Sequence, residues 1–162
     1  MLRPSVTLAL GAIALACAGG RAPAADADKG SPMHVTIKLA AAEIASGNDL
    51  DVTVTIVNDG KEPVRLDART FAFPSLVLRV RDAAGKAVPL GPPPVPRADD
   101  GETGRQTIPP GGSLVERFQA PFGSEPPAGA YSVSFQSTQR RGPTGKDWEG
   151  RLASEWAPFR IR

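Results

Sequence analysis

Side chains that commonly perform catalysis are scarce in this chain, whose 162 residues include one histidine and one cysteine. The histidine, His34, begins a segment of alternating polar and apolar residues and belongs to the polar set. A serine nucleophile would need this imidazole as its base and a carboxylate to orient the ring. The chain contains no Gly-x-Ser-x-Gly motif. We expect His34 to be a solvated strand residue and the protein not to be an enzyme. The alternative, catalysis by His34, requires a pocket with a carboxylate and a hydroxyl.

Metal and cofactor sites are equally hard to assemble from this sequence. Zinc and copper sites need clusters of histidine and cysteine, which one residue of each type does not provide. The carboxylates of residues 99–102 are spaced differently from those of a calcium-binding loop, and we interpret them as a solvated acidic turn. We therefore predict no metal and no cofactor.

Candidate binding residues occur in two long segments that lack strand periodicity, residues 91–112 and 137–154. The second segment contains Arg140, Arg141 and Trp148, and arginine and tryptophan are the residues that most often anchor protein interfaces. In the alternative interpretation, which we favour, Trp148 packs beneath its own loop and the charges are solvated.

The first of these segments opens with a proline-rich stretch at residues 91–96, which is stiff and extended in the manner of polyproline. Pro94 and Arg97 are its candidate contact residues. A stiff exposed loop is also a plausible protease-blocking element, so residues 91–105 are the candidate for that alternative function.

The chain begins with the pattern of a secretory signal over residues 1–24. Arg3 supplies a positive charge, residues 6–17 form an apolar run, and small residues follow. Peptidase cleavage after Ala24 would release a free chain. Alternatively, residues 14–17 act as a lipobox, residues 1–16 are removed, and Cys17 carries a lipid. We predict an exported, periplasmic protein and leave both routes open, the second anchoring it to the outer membrane.

Removal of the leader changes the charge balance. The chain has 19 Lys and Arg residues against 17 Asp and Glu, and two of the basic residues, Arg3 and Arg21, lie in the leader. The mature part is therefore balanced, which argues against nucleic-acid binding because phosphate contacts need a concentrated basic face. It also contains no cysteine pair, so its fold depends on a hydrophobic core without disulfides.

Apolar and polar residues alternate through most of the remaining chain, which indicates β-strands with one buried face. We predict an all-β antiparallel sandwich of seven to eight strands at residues 33–162, preceded by a flexible tether at 25–32. The strands fall at residues 33–39, 50–56, 76–81, 131–136 and 157–162, with weaker ones at 62–67, 86–90 and 113–120. Tight hairpin turns are expected at 58–61 and 82–86, and residues 40–46 are the one helix-like stretch.

The succession of turn and strand motifs over residues 33–136 resembles the immunoglobulin-like sandwiches of exported bacterial proteins. It is also similar in part to the domain of the BsuPI-type proteinase inhibitors, which share a proline-glycine turn and a late Gly-x-Tyr-x-Val strand. The resemblance implies a tyrosine corner at Tyr131, whose phenol would bond back to the backbone, and Val133 stands where antibody domains have a cysteine.

Counting the predicted strands assigns each connection to one end of the sandwich. The long connections, residues 40–49, 68–74, 91–112 and 137–154, fall together at one end, with the tight turns and the tether 25–32 at the other. We predict a non-catalytic binding or accessory module of the bacterial cell envelope, a monomer, that presents 91–112 and 137–154 to a protein or polymer partner. The alternatives are a proteinase inhibitor and an enzyme, and contact with the membrane is expected only through Cys17.

Overall fold

The computed structural model describes residues 31–72, 77–91, 104–140 and 147–162, and it is all-β. These ranges contain eleven strands and one 3₁₀ helix, Ala68–Ala72. The strands are β1 (Met33–Leu39), β2 (Glu43–Ile44), β3 (Leu50–Asn58), β4 (Val64–Asp67), β5 (Leu78–Asp82), β6 (Ala87–Val88), β7 (Arg105–Ile108), β8 (Ser113–Ala120), β9 (Gly129–Gln139), β10 (Gly150–Ala153) and β11 (Ala157–Ile161). None of the helices described is long and apolar enough to cross a bilayer.

Strands β1, β3 and β8 form an antiparallel sheet in that order. The alternation of β3 is a direct consequence of its sequence, since Val52, Val54 and Ile56 are buried while the polar residues between them face outward. The predicted strands at 33–39, 50–56 and 113–120 are thus confirmed.

The second sheet has the order β2-β11-β9-β5-β6, with β10 also paired to β9. Strands β10 and β11 lie along the same partner, β9, and a bulge separates them. Ala153 is opposite Gln136 and Ala157 is opposite Val133, so the chain contains one more residue than its partner between these points. The pairing of β2 with β11 is parallel, which corrects the prediction of a purely antiparallel fold.

Residues from both sheets form one hydrophobic core. Phe135 of β9 is completely buried, and its ring contacts Phe118 of β8 at a centroid distance of 6.2 Å and Phe71 of the 3₁₀ helix at 5.6 Å. Tyr131 stacks on Phe159, and its hydroxyl donates a hydrogen bond of 2.6 Å to the carbonyl of Pro127. The predicted hydrogen bond from Tyr131 back to the backbone is therefore confirmed.

Three segments differ from their predicted structure. Residues 40–46 contain β2 rather than a helix turn, because Ile44 and the neighbouring backbone pair with the last strand. The segments 91–112 and 137–154, predicted as loops, contribute β7 and β10 respectively. Strand β4 pairs with β7 in a separate two-stranded sheet and does not join either larger sheet.

The turn after β3 is organised by Asn58 and is not the predicted hairpin. The side chain of Asn58 is fully buried, its amide donates to the carbonyls of Glu62 and Ile108, and its oxygen accepts from the amide of Gly60. No described non-glycine residue has positive φ, and Gly60 does not either. Hydrogen bonds of the Asn58 side chain therefore stabilise this turn, without the positive-φ residues of the hairpin that the sequence predicts at 58–61. By contrast, the 82–86 hairpin is confirmed, with Gly85 at φ +82°.

The prediction that the long connections share one end of the sandwich, with the tether at the other end, is wrong. A parallel bridge between Val35 and Ser154, together with the antiparallel pairings, makes β1, β5, β8 and β11 run in one direction and β3 and β9 in the other. The connection after β3, the β7–β8 turn and the connection after β9 consequently lie where β1 begins, and residues 40–49 lie at the opposite end. The prediction is wrong because β4 does not cross from one end of the sandwich to the other and pairs only with β7.

The start of the domain confirms this orientation. The carbonyl of Pro32 accepts a hydrogen bond of 2.7 Å from the amide of Asp59, so the chain enters the domain at the same end as the connections after β3 and β9. Segment 91–112 does not lie at one end, because Gly91 bonds to Pro121 at the far end while β7 bonds to Asn58.

We predict that Asn58→Ala destabilises the protein by about 2–4 kcal/mol, because the buried carbonyl of Ile108 and the partly buried carbonyl of Glu62 and amide of Gly60 lose their partner. Thermal unfolding of the full chain measures the effect. Asn48→Ala is the matched control, since Asn48 is exposed, and it is expected to unfold within about 0.5 kcal/mol of the parent. Equal stability of the two variants would contradict the role assigned to Asn58.

Glu116 is a charged residue on the core-facing side of β8, opposite Val54. Burial raises the pKa of its carboxyl group. Strand β8 is at the edge of the three-stranded sheet, and an inward-pointing charge on an edge strand hinders pairing with another chain.

A raised folded-state pKa means that Glu116 opposes folding when it is ionised, so its cost is present at neutral pH and disappears at low pH, where both states are protonated. Glu116→Gln is therefore expected to raise the melting temperature at pH 7 by about 1–3 °C and to leave it unchanged near pH 3.5. Melting curves across this range, with the exposed Glu62→Gln as control, test the prediction. A lower melting temperature at pH 7 would contradict it.

Candidate functional site

The connection after β3, the β7–β8 turn and the connection after β9 meet at one end of the domain, which we call the loop end and define as residues 58–67, 105–112, 139–140 and 147–149. Its centre is Asp147, whose side chain is 2% exposed. The Nε of Arg105, from β7, lies 3.0 Å from Oδ2, and the Nε of Arg65, from β4, lies 3.3 Å from Oδ1. One carboxylate thus joins three segments that are distant in sequence.

The two arginines of this ion triad contact Asp147 in different ways. Arg105 donates a hydrogen bond to Oδ2 of Asp147, whereas Oδ1 has no hydrogen-bond partner among the described residues and makes only the ion contact with Arg65. A buried carboxylate is costly to desolvate, and this cost is offset only when its cations are well placed. The triad therefore fixes the relative positions of β4, β7 and residue 147 more than it adds stability.

A second acid–base pair supports the same region. Arg69 donates to Asp67 through Nε at 2.8 Å, and this side-chain hydrogen bond holds the pKa of Asp67 below its ordinary value. The backbone amide of Asp67 also donates to the side-chain oxygen of Gln139, at the end of β9. Because the folded-state pKa of Asp67 is lowered, the pair stabilises the fold at neutral pH. This stabilisation is lost as the pH falls from the ordinary pKa of an aspartate through the lowered one.

Trp148 is half-buried and packs against the hydrophobic core. Its backbone amide donates to the carbonyl of Arg65 at 2.8 Å, and its ring covers Gly150 so closely that a Cβ there would lie 2.4 Å from Cζ2. These contacts are those expected if Trp148 holds down its own loop.

The other predicted site residues have different positions. Arg140 is exposed at the end of β9, within the loop end. Arg141, Pro94, Arg97 and Cys17 lie outside the described residues, as do the leader and most of the proposed inhibitory segment 91–105. Those assignments remain predictions.

His34 lies on the outer face of β1 with half of its side chain exposed, and its Nδ1 contacts a carboxylate oxygen of Asp59. Asp59 is also more than half exposed, so the pair is open to solvent. In the parts of the chain that the structure describes, no group of three His, Cys, Asp or Glu side chains could hold a metal ion.

Sequence reasoning missed one notable surface, on the outer face of the second sheet. The guanidinium carbon of Arg81 lies 3.9 Å from the ring centroid of Trp156, and its Nε donates to the hydroxyl of Ser132. The outward arginines of β5 were a usable signal, since they alternate with buried residues. Trp156 was hidden because it lies in the bulge before β11, where the alternation is interrupted.

No family model and no curated protein matches this chain. The protein solved as structural-genomics target SoR45 is 20% identical, with 80% of this chain and 84% of that chain covered and a TM-score of 0.41. AvmM, which catalyses macrocyclization in alchivemycin A biosynthesis, is 14% identical over 81% and 89%, with a TM-score of 0.44. An α-2-macroglobulin fragment from Escherichia coli is 14% identical over 82% of this chain and 17% of that chain, with a TM-score of 0.44. Likenesses this low carry no argument about function.

Replacing the central carboxylate is expected to loosen the loop end. Asp147→Asn keeps the shape of the side chain but leaves Arg65 and Arg105 without their counter-charge, and we predict a loss of about 3–5 kcal/mol in the free energy of unfolding. Chemical denaturation measures it. Asp51→Asn, at an exposed position, is the control and should have no measurable effect. If the two variants unfold alike, the triad does not organise this end.

Proposed function

We propose that the chain folds as an immunoglobulin-like β-sandwich. The strand orders β1-β3-β8 and β11-β9-β5-β6 correspond to A-B-E and G-F-C-C′ of such domains. The first strand is divided between the sheets, since β1 pairs with β3 and β2 pairs with β11. The bond from Tyr131 to Pro127 fits a tyrosine corner, and buried Val133 occupies the position of the missing cysteine.

We infer that this sandwich works as an exported, non-catalytic binding module of the bacterial cell envelope that contacts a protein or polymer partner through the loop end. The observation that carries this proposal is the ion triad around Asp147. Apolar side chains of similar volume would stabilise the fold at least as well, so buried charges at this point are explained by the need to hold three connections in a fixed arrangement. Binding residues in sandwiches lie mainly on loops held by a rigid scaffold.

The orientation of the domain refines the proposal. Residues 31–32 join the domain at the loop end, so a lipid on Cys17 would keep that end within reach of the membrane. About 15 residues separate Cys17 from β1, and an extended chain spans at most roughly 3.5 Å per residue, or about 50 Å. A partner at or near the membrane surface then fits better than one deep in the periplasm.

Site-specific photo-crosslinking in intact cells tests the loop end as a binding surface. Benzoylphenylalanine in place of Arg140 should give an adduct of defined mass with one identified partner. The same group in place of Val115, which is 52% exposed on the outer face of the three-stranded sheet, is the control and should give none.

A further variant tests whether the adduct depends on the arrangement of the loop end and does not arise from chance contact. Asp147→Asn, combined with the crosslinker at position 140, should weaken the adduct at least threefold at a temperature where the variant is still folded. Adducts of equal yield from positions 140 and 115, or none from 140, would contradict the proposal.

A further inference from the structure

Two arginines and a tryptophan lie close together on the outer face of the second sheet. Arg81 of β5 lies opposite Ser132 of β9, and Arg79 lies opposite Ser134. Glu155 and Trp156 form the part of the bulge opposite Ser134, between the bond of Ser154 to Phe135 and the pairing of Ala157 with Val133. The bulge therefore projects the indole toward the same face as the two arginines.

The indole and the guanidinium stack on the outer face of β9. Ser134 is completely buried even though its position alternates with the core residues Val133 and Phe135 and so belongs to the outer face. Arg81 reaches across β9 to lie 3.9 Å above the ring of Trp156, and its Nε is held by the hydroxyl of Ser132. Both side chains are thus ordered before any partner binds, which lowers the entropy cost of association.

The charge of this face is predominantly positive. Arg79, Arg151 and Arg160 also lie at outward positions on β5, β10 and β11. The nearby carboxylate of Asp82 is directed to its own turn, where one oxygen accepts from the amides of Ala84 and Lys86. Two exposed carboxylates lie on this side as well: Glu155 beside Trp156, and Glu43 of β2, which is opposite Arg160 and contacts the Nε of Arg162 at 3.2 Å.

A recess adjoins the stacked pair. It has a volume of about 380 Å³ and is lined by Arg81, the turn at residues 82–85, and the start of β9 at Ala130 and Ser132. An aspartate or glutamate side chain entering it would meet the Arg81 guanidinium, whose terminal nitrogens are not used in the bond to Ser132. Arginine binds carboxylates through two parallel hydrogen bonds, and stacking on an aromatic ring leaves that edge available.

We propose that this surface, formed by Arg81, Trp156 and Arg160, is a second docking site that binds an acidic segment of a protein partner. Pre-ordered arginine and tryptophan are the residues that dominate protein interfaces. A polyanion such as an acidic polysaccharide is the less suitable occupant, because the predicted mature chain has balanced charge and only a local basic patch. The site is separate from the loop end, so its test does not depend on the function proposed for that end.

Titration monitored by ¹⁵N NMR tests the site. The probe is a dodecapeptide of alternating glutamate and alanine, added to the chain purified after export, with a lysine–alanine peptide of the same length as control. The indole N–H of Trp156 and the Nε–H of Arg81 should shift with the acidic peptide. The indole N–H of Trp148, half-buried at the loop end, is an internal control that should not move.

Variants distinguish a specific site from general attraction of charge. Arg81→Ala should weaken binding of the acidic peptide about tenfold while Arg117→Ala, an exposed arginine on the other sheet, should change it less than twofold. Trp156→Phe should retain part of the affinity, because phenylalanine keeps an aromatic ring on which the Arg81 guanidinium can stack. A melting curve confirms that each variant is folded at the temperature of titration.

Three outcomes would overturn the proposal. The first is the absence of shifts at Trp156 and Arg81 up to millimolar peptide. The second is an equal loss of affinity in Arg81→Ala and Arg117→Ala, which would indicate nonspecific attraction. The third is a heparin oligosaccharide that shifts the same signals at concentrations at least tenfold lower than the peptide, which would assign the face to polyanions.

Discussion

The packing of Phe135 against both sheets is the contact on which the rest of this structure depends. The chain has a single cysteine and therefore no internal disulfide, so apolar packing supplies most of what holds the two sheets together. Phe135 is completely buried in β9, touches Phe118 of the other sheet, and meets Phe71 from the connection after β4. Rings of this size bury large apolar areas, and edge-to-face contacts such as that with Phe71 add to the stabilisation. One residue thus connects the two sheets and the 3₁₀ helix.

The loop end is organised differently, by polar groups. Strands β4 and β7 form a sheet of two strands, and such a pair is marginally stable by itself. Buried hydrogen bonds of Asn58 and the ion triad of Asp147 join that pair to β3 and to the segment before β10. Hydrogen bonds and ion pairs are directional, so they specify one arrangement of the connections, whereas apolar contacts would permit several. The core supplies stability, and the polar contacts determine how the connections are arranged upon it.

This division explains what the sequence predicts and what it does not. The alternation of β1, β3 and β8 is a local signal, and it predicts these strands correctly. The phenol contact of Tyr131, which the family resemblance implies, is also present. Asn58 was recognised as a turn residue, but its bond to Ile108 joins positions 50 residues apart and leaves no pattern in the sequence. The pairing of β4 with β7 is equally remote. Because that pairing removes β4 from the main sheets, the whole assignment of connections to the two ends changed with it.

The two candidate surfaces lie on different parts of the domain. The chain enters at the loop end, beside Asp59, so on the proposed lipidated route the anchor would be attached through that end. The Arg81–Trp156 pair lies on the side of the sandwich, along the strands of the second sheet and not at the end where the chain enters. A lateral face remains accessible to a soluble protein when the end of the domain is occupied. On the proposed lipidated route, therefore, occupation of the loop end would leave the arginine–tryptophan face open to the acidic segment proposed for it.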